Sequence, residues 1–194
     1  MCDFEMPPSP SSRYALLVGW SLFLAAACQP GPQDAGSSKA SPFYDLEGFF
    51  SEEVERLQQE QPPVDKTVTL EGRSEFQQLD SLDYRDELSV FQNSDINRAA
   101  WWDRYRIDST FSGDRLQSIT YSARSEELKI RSVRIRFEKE NVRLVEIENR
   151  TDSPAATMDQ QLQYDPQSGY RIETHQNVTF SKPREMIVEV RFRE

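Results

Sequence analysis

The sequence has few of the residues that metal centres, disulfide frameworks and nucleic-acid interfaces require. Its 194 residues include only two cysteines and one histidine, so neither a disulfide scaffold nor a metal ion or cofactor is expected. Basic residues are also in the minority, with 23 Lys and Arg against 33 Asp and Glu and a net charge of −10. Because nucleic-acid binding depends on a basic surface that releases counterions, no nucleic-acid partner is expected. The length fits one ordinary domain with short appendages.

The N-terminal hydrophobic stretch is too short to cross a membrane. Residues 14–27, YALLVGWSLFLAAA, contain no charge, but a membrane-spanning helix needs about 20 apolar residues. Such a stretch ending in small residues is typical of a signal-peptide core. The residues before it are acidic for a signal peptide, and a start at Met6 would remove Asp3 and Glu5. We therefore predict that residues 1–27 are a signal peptide.

The end of this stretch, Leu24-Ala25-Ala26-Ala27-Cys28, resembles the lipobox of bacterial lipoproteins. In that family the cysteine is diacylated, becomes the mature N-terminus and is then N-acylated. The sequence departs from the strictest pattern, because Ala25 stands third before the cysteine and Leu24 fourth. The alternative is ordinary cleavage after Ala27 at an A-x-A site, which would leave Cys28 as a free thiol. The resemblance implies that Cys28 carries acyl chains such as palmitate, and more than one chain gives stable membrane anchoring.

The segment after the cysteine has the composition of a linker. Residues 29–41, QPGPQDAGSSKAS, contain Pro, Gly, Ser and Ala but no aromatic residue, which is typical of a flexible tether. A tether of this length has a root-mean-square reach of about 20 Å, so the domain predicted for residues 42–194 would stay near the bilayer. In the lipoprotein family, a residue other than Asp after the cysteine, here Gln29, is compatible with outer-membrane localisation. The domain would then lie in the periplasm or at the cell surface.

The folded domain is predicted to begin with a helix. Five apolar residues recur at spacings of three and four: Phe43, Leu46, Phe50, Val54 and Leu57. This spacing places them on one helix face, with Ser41-Pro42 at the start of the helix and Pro62-Pro63 beyond its end. Gly48 is a poor helix former inside this segment, and we infer that another backbone approaches there.

A strand and a second helix are predicted next. Residues 64–76 alternate weakly between polar and apolar side chains, which favours a strand. Residues 82–91 place Tyr84, Leu88 and Phe91 on one helix side before Asn93-Ser94-Asp95 interrupts the pattern. Both helices would present one apolar face to the rest of the domain.

From Trp101 onward the apolar period changes to two, which is typical of strands. The predicted runs are 101–111, 116–123, 128–137, 142–151, 157–164, 170–180 and 186–192. Short polar turns separate these runs and leave no room for a crossover helix, so sequential antiparallel pairing is expected. The predicted fold class is α+β: two N-terminal helices packed on a curved antiparallel meander sheet of about seven or eight strands, half-barrel-like in shape.

Hairpin registers follow from placing apolar residues opposite apolar residues. The predicted pairs are Phe137 with Val145, Leu162 with Ile172, Met186 with Phe180 and Val188 with Val178. The first of these registers also places Arg136 opposite Glu146. The arginine-rich strand 131–137 is therefore expected to form cross-strand ion pairs rather than a ligand-binding patch.

One patch of the predicted sheet combines apolar and neutral polar side chains. Its members are Met158, Gln160, Thr174, Gln176 and Phe192, with Gln160 facing Thr174 in the predicted registers. A mostly apolar surface with a few polar groups is typical of a ligand site. The alternative is that the helices do not reach this end of the sheet and solvent covers it.

The sequence contains no recognisable catalytic motif. His175 is the only histidine, and neither a GxSxG elbow nor a reactive cysteine accompanies it. The carboxylates are spread over predicted helix surfaces and turns, and sequence alone does not bring two of them together. No catalytic residue is therefore predicted.

Two further segments carry a resemblance. The segments FYDLEGFF (43–50) and DINRAAWWDRY (95–105), behind the lipobox, resemble a loosely defined group of uncharacterised bacterial envelope lipoproteins. At the level of the fold alone, the chain is similar to periplasmic lipoprotein carriers and acceptors, whose half-barrel holds acyl chains. We expect a non-enzymatic, membrane-anchored envelope lipoprotein that binds an apolar ligand or a protein partner on its sheet. The alternatives are a structural accessory subunit of an envelope assembly and a hydrolase.

Overall fold

The computed structural model describes residues 41–193, which form two α-helices and one nine-stranded antiparallel sheet. The helices are α1 (Leu46–Glu60) and α2 (Tyr84–Gln92). The strands are β1 (Val64–Leu70), β2 (Arg73–Leu79), β3 (Tyr105–Ser112), β4 (Arg115–Ala123), β5 (Ile130–Glu138), β6 (Asn141–Asp152), β7 (Ala156–Asp165), β8 (Gly169–Val178) and β9 (Arg184–Phe192). The predicted signal peptide, Cys28 and residues 29–40 of the tether lie outside the described residues. No described helix is both long and apolar enough to cross a membrane.

Helix α1 confirms the predicted apolar stripe but begins later than predicted. All five stripe residues are buried. Asp45 caps the helix, since its Oδ1 accepts a hydrogen bond from the Gly48 amide at 2.9 Å, and Ser41-Pro42 lies before this cap. A Cβ atom at Gly48 would collide with the Asp45 carboxylate. Gly48 therefore makes room for the capping side chain, and the expectation of an approaching backbone is wrong.

Helix α2 lies close to its predicted position. Tyr84, Leu88 and Phe91 are fully buried, as their spacing predicts. Asp83 caps the helix by accepting a hydrogen bond from the Arg85 amide at 3.1 Å. The Phe91 ring packs against Phe50 of α1, with 5.1 Å between ring centroids.

The sheet order is β2-β1-β9-β8-β7-β6-β5-β4-β3. Strands β3 to β9 form the predicted sequential meander, while β1 pairs with β9 and brings the β1–β2 hairpin to the far edge. The sheet thus has nine strands rather than seven or eight. The helices also do not both precede the sheet, because this hairpin separates them. The segment predicted as one strand reverses at Glu71 and Gly72, whose φ angles are 50° and 79°, as a two-residue hairpin turn requires.

Of the predicted hairpin registers, the one between β7 and β8 is confirmed, with Leu162 opposite Ile172. The predicted register between β5 and β6 is wrong by two residues, because Ile135 faces Val145. The loop there has two residues rather than three, and Lys139 adopts a φ of 61°.

Two further pairings in the sheet, one between β5 and β6 and one between β8 and β9, differ from the prediction. Arg136 does bind Glu146, at 3.0 Å between Nη2 and Oε2, but Glu146 lies directly opposite Arg134, so the ion pair is diagonal. Between β8 and β9, Met186 faces Thr174 rather than Phe180. Phe180 lies in the connecting loop and is fully exposed, because the turn is centred on Phe180 rather than on Pro183.

The first meander strand begins at Tyr105, four residues later than predicted. Residues Ala99–Trp101 form a short 3₁₀ helix instead. The Arg98 guanidinium lies 4.7 Å from the Trp101 ring centroid, a distance at which the cation and the ring attract each other. This interaction favours the turn over an extended strand start.

The core lies between the two helices and one face of the sheet. The Phe50 ring centroid is 5.1 Å from those of both Phe91 and Tyr164 of β7. Ahead of α1, Phe43 packs edge-on against Tyr105 and Tyr121, at 5.8 and 5.2 Å. Aromatic rings from both helices and from four or more strands thus meet in one core, and such ring pairs stabilise a fold beyond the area that they bury.

Burial of the tyrosines predicts that stability is lost at alkaline pH. Burial raises the pKa of Tyr44, Tyr84 and Tyr105 to about 12 and also raises the pKa of Tyr121, Tyr164 and Tyr170. Unfolded tyrosine ionises near pH 10. The stability contributed by these neutral phenols is therefore fully present below about pH 10 and is lost as the pH rises through 12.

As the pH is raised, we expect the phenolate absorbance at 295 nm to increase and the far-UV circular dichroism signal to disappear in one shared transition. Residues 41–193 contain six tyrosines, all with raised pKa values. Phenolate formation near pH 10 with unchanged circular dichroism would show that these hydroxyls are open to solvent.

Candidate binding surface on the helix side of the sheet

The helices cover only one end of the sheet face on which they lie. Along β1 the exposed fraction rises from 0% at Val64 to 51% at Leu70. Along the neighbouring β9 it falls from 39% at Met186 to 1% at Val190, and β9 runs antiparallel to β1. The same end of both strands is therefore open to solvent.

The open end of this face is apolar, and we call it the apolar strip. It consists of Val68, Leu70, Ile172, Met186 and Val188. One row runs from Val68 through Val188 to Ile172, and a second joins Leu70 to Met186. Directly paired residues project to the same side of a sheet, so these five side chains form one continuous surface. Val68, Ile172 and Val188 are half-buried, whereas Leu70 and Met186 are exposed.

Four of the five predicted ligand-binding residues form one patch, which adjoins the apolar strip at Met186. Gln160 lies opposite Thr174, and Met158 lies opposite Gln176. The Gln160 Nε2 donates a hydrogen bond to the Thr174 Oγ1 at 3.3 Å, and Thr174 itself lies opposite Met186. The structure therefore brings these four residues together, and Thr174 joins them to the strip through Met186.

The fifth predicted residue, Phe192, lies at the other end of the sheet. It pairs with Val64, and its ring centroid is 6.4 Å from that of Tyr84. It also lines a recess of about 410 Å³ near the turn between β7 and β8. The predicted β9 register would have placed Phe192 opposite Thr174, a place that Met186 occupies in the structure.

Charged and polar residues surround the apolar strip. On β2, Arg73 lies opposite Leu70 and Glu75 lies opposite Val68, and both are exposed. On the other side, Arg184 pairs with Gln176. An apolar centre inside a polar rim is the usual composition of a protein–protein interface.

A second polar arrangement lies between the helices and the sheet. Glu53 of α1 binds Arg56 at 2.7 Å and accepts a hydrogen bond from the Tyr164 hydroxyl. Glu87 of α2 binds the Lys66 Nζ at 2.5 Å and accepts a hydrogen bond from the Tyr170 hydroxyl. Tyr164 and Tyr170 are cross-strand partners, so two matching links fix both helices to one point of the sheet.

These two links offer no free acid or base for catalysis. Each carboxylate already has a cation and a phenol as partners. Burial raises the pKa of both Tyr164 and Tyr170, so their hydroxyls stay protonated and donate to the carboxylates. The arrangement therefore positions the helices over the sheet.

The members of the apolar strip were not predicted from sequence as site residues. The alternation in residues 64–70, VDKTVTL, does place Val64, Val68 and Leu70 on one face. Sequence does not show, however, how far along that face the helices reach. The pairing of β1 with β9 joins residues more than 110 positions apart, and no local pattern signals it.

Comparisons with known protein families, with curated proteins and with solved structures each found no match. A function for this chain therefore has to be inferred from its own residues.

Proposed function

We propose that this chain is a non-enzymatic lipoprotein of the bacterial cell envelope that binds a protein partner through the apolar strip. The observation that carries the proposal is the continuation of the apolar face beyond the helices, where Leu70 and Met186 are 51% and 39% exposed. Contiguous exposed apolar surface with a polar rim is typical of an interaction site.

The filled core favours a protein partner over a small apolar ligand. Small-molecule sites are concave and bury most of the ligand surface. On this face, Phe50, Leu57, Leu88 and Phe91 are fully buried, so helix side chains occupy the space that an enclosed ligand would need. Nine twisted strands are expected to curl around their helices, which would shape the strip into a shallow groove suited to a helix or loop of the partner.

The N-terminal segment supports a membrane-bound setting for this interaction. Cys28 stands at the end of a lipobox-like sequence, and the following linker contains no aromatic residue. Acyl chains on Cys28 would hold the domain within a few tens of ångströms of the bilayer. The partner would then be a protein of the same membrane or of the space beside it, and Gln29 is compatible with the outer membrane.

A double substitution on the strip tests the proposal. Leu70→Ser combined with Met186→Ser should reduce the fraction of the chain found in a larger assembly at least tenfold, because truncating the few central anchors of an interface costs about 2 kcal/mol or more, which is about 30-fold in affinity. The measurement is native gel migration of detergent-solubilised envelopes. Phe76→Ser is the matched control, since Phe76 is 60% exposed on the opposite side of the neighbouring strand.

Two outcomes would count against a protein partner. The double variant could migrate with the assembly as the wild type does, while its thermal unfolding is unchanged. Alternatively, native mass spectrometry of residues 42–194 made in the cytoplasm could show a co-purified apolar molecule, which would favour the ligand alternative. Residues 40–194 form one compact unit, so this fragment is suited to the measurement.

A further inference from the structure

A group of metal-ligating side chains lies on the outer face of the sheet, opposite to the helices. Glu173 and His175 are two residues apart on β8 and so project to the same side. Glu185 of β9 lies directly opposite His175. Among residues 41–193, this is the group in which three potential metal ligands come together.

The potential ligand atoms of this group lie near one another, with the two glutamates on different ring nitrogens of His175. The His175 Nε2 is 2.9 Å from the Glu173 Oε1, and the His175 Nδ1 is 3.8 Å from the Glu185 Oε1. One potential ligand atom from each residue lies within 4.8 Å of the others. Tetrahedral zinc bonds of about 2.0–2.2 Å place ligand atoms roughly 3.3–3.6 Å apart, so donors at the outer limit of this group need to approach one another by about 1.2–1.5 Å. The His175 and Glu185 side chains are 44% and 46% exposed, which leaves them free to rotate.

Neighbouring charges orient the carboxylates. The Glu173 Oε2 accepts a hydrogen bond from Arg171 at 2.9 Å, which leaves Oε1 directed at His175. Such outer hydrogen bonds usually hold metal-ligating carboxylates in place. Asp159 of β7 lies opposite His175 on its other side and pairs with Arg150 at 3.4 Å. The His175 imidazole therefore lies near three carboxylates, and two guanidinium groups, those of Arg150 and Arg171, partly balance their negative charge.

We propose that Glu173, His175 and Glu185 bind a divalent transition-metal ion of the Zn²⁺ class. One imidazole and two carboxylates supply three ligands, and water completes a tetrahedral shell. An imidazole ligand favours zinc-like ions over Mg²⁺ and Ca²⁺, which prefer oxygen ligands alone. The ion would link β8 to β9 beside the loop that joins them. The site lies on the other face of the sheet from the apolar strip and does not depend on the proposed function.

Titration with Zn²⁺ alone tests the site. The chain should be the full chain without a polyhistidine tag, carrying Cys2→Ser and Cys28→Ser so that no thiol binds the metal. Isothermal titration calorimetry should show one Zn²⁺ per chain. His175→Gln and Glu185→Gln should each weaken binding at least tenfold, whereas Glu148→Gln, an exposed outer-face carboxylate, should leave it unchanged.

Co²⁺ gives a second readout that does not depend on stability. Bound Co²⁺ should produce visible absorption bands of a tetrahedral site, and these bands should be missing in His175→Gln. The proposal is overturned if the parent chain takes up no stoichiometric Zn²⁺, or if His175→Gln binds Zn²⁺ as tightly as the parent. Weak binding that Glu148→Gln reduces equally would also overturn it, because it would reflect the general acidity of the surface.

Discussion

Replacing Phe50 with alanine is expected to lower the free energy of unfolding by about 3–5 kcal/mol. Phe50 is 0% exposed, and its ring joins α1 to Phe91 of α2 and to Tyr164 of β7, both at 5.1 Å. The substitution removes these contacts and leaves a cavity where the two helices and the sheet meet. Urea unfolding followed by circular dichroism measures the effect.

The matched control for Phe50 is Phe76→Ala. Phe76 is 60% exposed on β2, and substitutions at such surface positions usually change stability by about 0.5 kcal/mol or less. A loss of less than about 1 kcal/mol for Phe50→Ala would mean that the helices do not fill the sheet face. The enclosed space would then be available to a ligand, and the case for a protein partner would weaken.

The second large effect is expected for Cys28→Ser, which should move the protein from the envelope to the soluble fraction. Each buried methylene of an acyl chain contributes about 0.8 kcal/mol to membrane binding, and serine cannot carry the thioether-linked chains that the lipobox resemblance implies. Fractionation by ultracentrifugation with immunoblotting measures the distribution.

Cys2→Ser is the control for this experiment, because Cys2 precedes the predicted cleavage site and should not affect localisation. Intact mass spectrometry of the wild-type chain should also show an acylated N-terminus at Cys28. A Cys28→Ser protein that still sediments with envelopes, or an unmodified mature N-terminus, would contradict the lipoprotein assignment.

The helices were the most predictable part of the fold. In α1 and α2, apolar residues at spacings of three and four are all buried, because a helix can bury one face only with that period. The start of α1 was less predictable. Asp45 rather than Ser41-Pro42 caps it, since the nearer carboxylate reaches the first free amides of the helix.

Strand faces were predictable, whereas strand registers were not. A period of two decides which side chains share a face, but any shift by an even number of residues keeps that pattern. The turn therefore has to fix the register. The short turn between β7 and β8 fixed the predicted register, and Leu162 faces Ile172. Between β8 and β9 the connection is longer, and Met186 faces Thr174 instead of the predicted Phe180.

The register error between β8 and β9 misplaced one residue of each candidate site. In the predicted register, Phe192 would take the place beside Thr174 that Met186 holds in the structure. Glu185 would also lie away from His175, which it faces in the structure. No metal site was predicted from the sequence, because two cysteines and one histidine offer few metal ligands, even though Glu173 and His175 share a face of one predicted strand.

The most direct test of the proposed binding surface compares the two sides of the β1–β2 hairpin in living cells. A photoreactive amino acid at residue 70, within the strip, should cross-link the chain to one discrete partner protein. The same residue at position 76, on the opposite face, should not. Equal cross-linking from both positions, or a partner captured only from position 76, would contradict the account.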